Sequence, residues 1–153
     1  MKRLPRRSVA PRNDKTKKTM KIDLTIESVD DCGFTPSNLE SIANNILDKL
    51  DLKKPHSIIE VFLVTDDEIK VLNKKHRDKN EATDVLSFPQ EQFPVGDEQT
   101  LGTIFIAPEF AKNEGVECKE LFAHGILHLL GYDHETNKKK WEDAEAKTGI
   151  KTL

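Results

Sequence analysis

The run His124-Gly125-Ile126-Leu127-His128-Leu129-Leu130-Gly131-Tyr132-Asp133-His134 constrains this chain more than any other segment. His124 and His128 are four residues apart, one turn from each other on one helical face. Leu121, Phe122, Ile126, Leu129 and Leu130 share that spacing, so an apolar helix is expected from Glu117 to Leu130 with both histidines inside it. Gly131 offers the left-handed backbone that ends a helix at low cost, and the reversed chain can return His134 toward the first two rings. Three neutral imidazoles around a point, with a fourth direction open, make the ligand set of a catalytic zinc site. A packing or capping role would have to be invoked three times over, for three of the five histidines in the chain.

The rest of the sequence reads as one folded domain with a basic arm. Its 153 residues are enough to bury a core. No run approaches the ~18 apolar residues of a membrane span. Cys32 and Cys118 are too few and too scattered for a disulfide framework or a zinc ribbon, which makes a reducing, cytoplasmic compartment the default. The net charge of −3 conceals an asymmetry. Residues 1–19 hold eight basic side chains against Asp14 alone, leaving 16 basic and 26 acidic groups in residues 20–153. An acidic body with a basic arm is a pattern for tethering to polyanions, although such a run often only solvates a tail. The arm lacks the apolar stretch of a secretory signal.

Alternating strands are expected at Met20–Glu27 and Leu101–Ala107, and apolar or β-branched strands at Ile58–Val64 and Thr83–Phe88. Thr35-Pro36 opens a helix carrying Leu39, Ile42, Ala43, Ile46, Leu47 and Leu50. Thr65-Asp66-Asp67-Glu68 is a capping box for a second helix through Ile69 and Leu72. A last helix covers Asn137–Lys147, and Gln90–Thr100 is a polar loop. Strands mixed with helices in this way predict an α+β, three-layer α/β-like fold, a small mixed β-sheet covered by helices.

The spacing His-x3-His-x5-His resembles the zinc signature of metzincin proteases. Those enzymes carry glutamate directly after the first histidine as general base, and Gly125 stands there instead. A metalloprotease-like hydrolase is therefore the weaker reading of the cluster.

With two further blocks the sequence resembles the YbeY endoribonucleases, the ribosomal RNA maturation factors. One block is Leu72-Asn73, Arg77 and Thr83-Asp84-Val85-Leu86-Ser87-Phe88-Pro89, and the other is Leu101-Gly102 followed by an apolar strand. The blocks stand in the family's order and span about residues 20–147. The resemblance implies a single-strand-specific, metal-dependent endoribonuclease acting in 3′-end maturation of 16S ribosomal RNA and in ribosome quality control, with the small ribosomal subunit as partner. It implies a central, zincin-like metal helix, one zinc ion on His124, His128 and His134, and Arg77 as a functional arginine near the metal. Imidazole also suits other divalent transition metals. Thr103 stands where the family usually has aspartate, and the segment before His124 is shorter than usual by about two helical turns at ~3.6 residues each.

Zinc lowers the pKa of a bound water toward ~7, and the planar fork of Arg77 suits two phosphate oxygens. Asp84 and Asp133 are candidates to support a ligand histidine or the cleft wall, and both also read as ordinary turn or strand-edge carboxylates. Lys74, Lys75 and Lys79, with Lys70, are candidates for RNA contact in an otherwise acidic body. The rival outside the hydrolases is a non-catalytic ribosome assembly factor with a structural metal, which three ligands rather than four argue against.

Overall fold

The computed structural model describes residues 20–52, 57–89, 99–133 and 135–149. The arm 1–19, Pro55, His56 and most of the expected loop 90–100 lie outside them. Four strands, β1 (Met20–Ile26), β2 (Ser57–Leu63), β3 (Val85–Pro89) and β4 (Gln99–Ile106), form one sheet in the order β1-β2-β4-β3. β1, β2 and β4 are parallel, and β3 closes one edge antiparallel to β4. The helices are α1 (Pro36–Lys49), α2 (Asp66–Arg77), α3 (Pro108–Asn113), α4 (Cys118–Leu129) and α5 (Lys138–Thr148). The fold is α+β with a small mixed sheet, as the sequence implies.

Local signals account for most helix ends. Thr35 and Thr65 each accept a bond from the backbone N–H three residues on, and the Asn38 and Glu68 side chains in turn accept one from the cap backbone N–H. α3 has no counterpart in the expected elements: at six residues it is too short to show a period, and only Pro108 at its start marks it. β3 extends through Pro89, where the expected strand stops. Its place at the sheet edge tolerates the missing N–H.

α4 runs through the middle of the molecule. Leu121, Phe122, Ala123, Gly125, Ile126, Leu127 and Leu129 are all buried, and a helix apolar nearly all round belongs in a core. It lies on the sheet face formed by Ile59, Val61, Leu63, Ile104 and Ile106, beside α1 and beneath Trp141 of α5. A smaller cluster of Val64, Ile69, Leu86 and Ala107 joins α2 to the opposite face.

Two glycines set the distance between α4 and the sheet. A Cβ on Gly102 would meet Leu129 Cδ2 and the Phe88 carbonyl oxygen at 2.6 Å, and one on Gly125 would meet Ser87 Oγ at 2.9 Å and Ile104 Cδ1 at 3.0 Å. The Phe88 backbone cannot give way without breaking the β3–β4 pairing. Gly102→Ala should therefore destabilise the fold by about 1–3 kcal/mol, the usual cost of overpacking. Urea unfolding checks this, with an unchanged midpoint as the contrary result.

Candidate metal centre and cleft

His124 and His128 project from one face of α4, with their Nε2 atoms 3.1 Å apart and ring centroids 4.8 Å apart. Two nitrogens bound to one zinc at ~2.0–2.1 Å with a tetrahedral angle stand ~3.4 Å apart. The observed separation fits two ligands of one ion and also an imidazole–imidazole hydrogen bond. The donor chemistry, two borderline nitrogens aimed at one point, suits zinc and its neighbours. The third expected ligand, His134, lies outside the described residues. Among the described residues, no group of three or more His, Cys, Asp or Glu side chains is placed to hold a metal.

Neighbouring elements hold the two imidazoles. Trp141 of α5, buried to 1% exposure, lies 5.0 Å from the His124 ring and 5.1 Å from the His128 ring, centroid to centroid. Asn137 fixes the indole's approach by accepting the Lys140 N–H as the α5 N-cap. At the end of α4, Gly131 takes φ +100°, and the Tyr132 N–H reaches back to the Leu127 carbonyl at 3.0 Å. This is the left-handed stop that the sequence implies.

A cleft of about 580 Å3 opens beside the rings, and Arg77, Asp84, Ser87 and Asp133 line it with His124 and His128. The fold thus collects in one place residues from α2, β3, α4 and the turns beside them. Arg77 is the last residue of α2, beyond which Asp78 turns the chain at φ +59°. Buried Asn73 holds that turn, its Nδ2 donating to the Glu81 carbonyl at 2.8 Å and its carbonyl accepting the Lys79 N–H at 3.3 Å. Asp84 immediately precedes β3, its carbonyl accepting the Ala107 N–H at 2.9 Å. Asp133 is a turn residue, with Oδ1 accepting the Glu135 N–H and its carbonyl accepting the Asn137 N–H.

Lys70, Lys74, Lys75 and Lys79 are exposed on α2 and the turn after it, and none lines the cleft. Lys74 lies 3.4 Å from Asp78, an exposed ion pair of little energetic weight. Thr103 belongs to the other side of the sheet. It alternates with Gly102 and Ile104, which face α4, and its hydroxyl donates to Glu60 Oε1 at 3.2 Å. The departure at this position therefore does not reach the cleft.

Ser87, Asn73 and Trp141 are site-building residues to which the sequence alone assigns no role. Ser87 and Asn73 lie within the resembling blocks, where position alone gives no direction. Trp141 carries no local signal, because its contact spans two helices. Cys32 and Cys118 are free cysteines, in keeping with their sequence reading, yet although far apart in the chain they have sulfurs 2.6 Å apart.

Gly125 now has a physical reason. A Cβ at the position after His124 would press on Ser87 Oγ at 2.9 Å and Ile104 Cδ1 at 3.0 Å, so those side chains would have to shift for a methyl group, and a protease-type glutamate would have to enter the packed layer between α4 and the sheet. Gly125→Glu should yield no casein digestion with zinc supplied, together with a markedly lowered melting temperature. A folded variant that digests casein would contradict this account.

A family model described as endoribonuclease YbeY matches residues 23–150. An endoribonuclease YbeY of Nautilia profundicola is 44% identical over 115 residues, which is 70% of this chain and 75% of that one. The Helicobacter pylori protein of the same name is 40% identical over 116 residues, 71% and 76% of the two chains. A Thermotoga maritima protein solved in solution aligns over 84% of each chain at 30% identity, with a TM-score of 0.46. On the family match and these identities, the chain belongs to the endoribonuclease YbeY family.

Proposed function

We propose that this protein is a single-strand-specific, metal-dependent endoribonuclease that matures the 3′ end of 16S ribosomal RNA and serves ribosome quality control on the small subunit. His124, His128 and His134 hold one zinc ion in this reading. The observation that carries it is the convergence of the His124 and His128 Nε2 atoms in the same cleft as Arg77. When bound, zinc supplies a Lewis acid and lowers the pKa of a coordinated water.

The chain's own residues do the rest. Trp141 packs against both imidazoles and restricts their rotation, which keeps the donor atoms aimed at one point. Arg77 presents a planar fork to the phosphate and offsets the charge that builds up on its oxygens during cleavage. Asp84 lies on the same wall and helps orient the groups around it. The Ser87 hydroxyl, in the cleft beside Gly125, is available to the substrate. The surface of residues 20–153 is acid-rich, so affinity for RNA rests on Arg77, the α2 lysines and the arm 1–19.

Cleavage of a short single-stranded RNA, read beside metal content, tests the proposal. His128→Ala should lose both bound metal and cleavage by more than about 100-fold, beyond what loss of an outer partner costs a metal site. Arg77→Ala should keep the metal and lose cleavage by about 10- to 100-fold, the cost of a charge-assisted pair. Trp141, the only tryptophan, gives an independent readout, because cobalt or copper binding beside it should quench its fluorescence in the wild type and not in His128→Ala. Wild-type cleavage by His128→Ala, or by a metal-free chain, would overturn the proposal.

Removing residues 1–19 should weaken RNA binding and flatten its salt dependence, by ~0.7 in log–log slope for each phosphate that the arm neutralises. Equal affinity of the full and shortened chains across a salt series would exclude the arm from binding.

A further inference from the structure

Cys32 and Cys118 stand 86 residues apart in the chain, and their sulfurs lie 2.6 Å from each other. Cys118 is the first residue of α4, at the end of that helix away from Gly131. Cys32 belongs to the tight turn 31–34 that leads into α1, closed by the Phe34 N–H donating to the Asp31 carbonyl at 2.8 Å. Both are free thiols, partly buried.

The turn is built so that the two sulfurs meet. Asp30 Oδ1 accepts the Cys32 N–H at 3.0 Å, Asp31 Oδ1 accepts the Gly33 N–H at 2.8 Å, and the Gly33 carbonyl accepts a bond from Asn38 Nδ2 at 3.1 Å. Cys32 takes φ +58°, a backbone region that glycine or asparagine enters at lower cost. Phe34, 5% exposed, meets Phe122 edge-on with centroids 6.2 Å apart. Phe122 is four residues beyond Cys118, so the aromatic pair and the thiol pair dock the turn onto one face of α4. Ordering the two cysteines is therefore already achieved by the fold. A cavity of about 280 Å3, lined by Asp30, Lys112, Glu117 and Lys119 as well as both cysteines, admits a small molecule to the sulfurs.

We propose that Cys32 and Cys118 form an oxidant-closed disulfide site that staples the turn before α1 to the histidine-bearing helix, with hydrogen peroxide or another small hydroperoxide as co-reactant. One sulfur attacks a peroxide oxygen and the O–O bond breaks. This gives a sulfenic acid and one water, which takes up the thiol proton. The second sulfur attacks the sulfenic sulfur, the S–O bond breaks, and the second thiol proton leaves in another water. Two thiols are oxidised by two electrons, and one peroxide is reduced to two waters.

The surroundings set the kinetics. Burial, then the neighbouring Cys118 and the Asp30 and Asp31 carboxylates, push the Cys32 thiol up; burial, opposed by the bond from Cys32 and helped by Asp30 and Glu117, raises Cys118 as well. Thiolate is scarce at neutral pH, so the first step is slow. The second sulfur is already in place, so the second step is fast. The site closes without accumulating sulfenic acid.

The test uses the full reduced chain with hydrogen peroxide, followed by thiol titration, intact mass and thermal unfolding. Both thiols should disappear with a single rate, the mass should fall by two hydrogens, and dimedone should capture nothing. The oxidised chain should melt higher by on the order of 5–10 °C, reversibly on reduction, because the crosslink restricts a long loop of the unfolded chain. Cys32→Ser, a mild change at a partly exposed site, should leave Cys118 to be trapped by dimedone with no rise in melting temperature. Loss of one thiol only, dimers joined through sulfur, or an internal crosslink that leaves the melting temperature unchanged would each overturn the proposal.

Discussion

The packing of α4 against the sheet is the interaction on which the rest of the molecule depends. A helix this apolar has to be enclosed, and enclosure leaves its two histidines a single open direction, toward the cleft. The approach is as close as it is because Gly102 and Gly125 present no side chain at the crossing. A larger residue at Gly102 would press on the Phe88 backbone of β3, and one at Gly125 would displace the Ser87 and Ile104 side chains beside His124. Core packing and site geometry are here one constraint.

Around that interface, hydrogen bonds to the backbone hold the turns that wall the cleft. Asn73 closes the turn after Arg77, Asp84 is tied to Ala107, and Asp133 organises the turn that follows α4. The Asn73 bond is partly buried and resists salt, unlike the exposed Lys74–Asp78 pair. The arrangement fixes the end of α2 and leaves Arg77 exposed at the cleft. On the far side of α4, the turn carrying Cys32 and Phe34 anchors the beginning of the same helix.

Much of the architecture was legible in the chain, for identifiable reasons. Thr35 and Thr65 cap helices through their own hydroxyls, Gly131 ends α4 by its own backbone freedom, and the alternation of Ile22 and Leu24 with polar neighbours marks β1. These are local effects, complete within a few residues. α3 was not legible because six residues do not display a period, and the extension of β3 through Pro89 depends on its edge position, which only the sheet order reveals.

The candidate site divides along the same line. The shared helical face of His124 and His128, the turn after them and the lack of a glutamate at the protease position are all readable along the chain. Spacing along one helix is a property of the backbone. Folding in three dimensions places Arg77, Asp84 and Ser87 on the cleft that the histidines line, sets Trp141 against both rings, and puts Thr103 on the other side of the sheet. It also decided that two cysteines 86 residues apart are neighbours. The physical reason is that such contacts arise from the order of strands and the depth at which helices pack, and neither is encoded in any short stretch of chain.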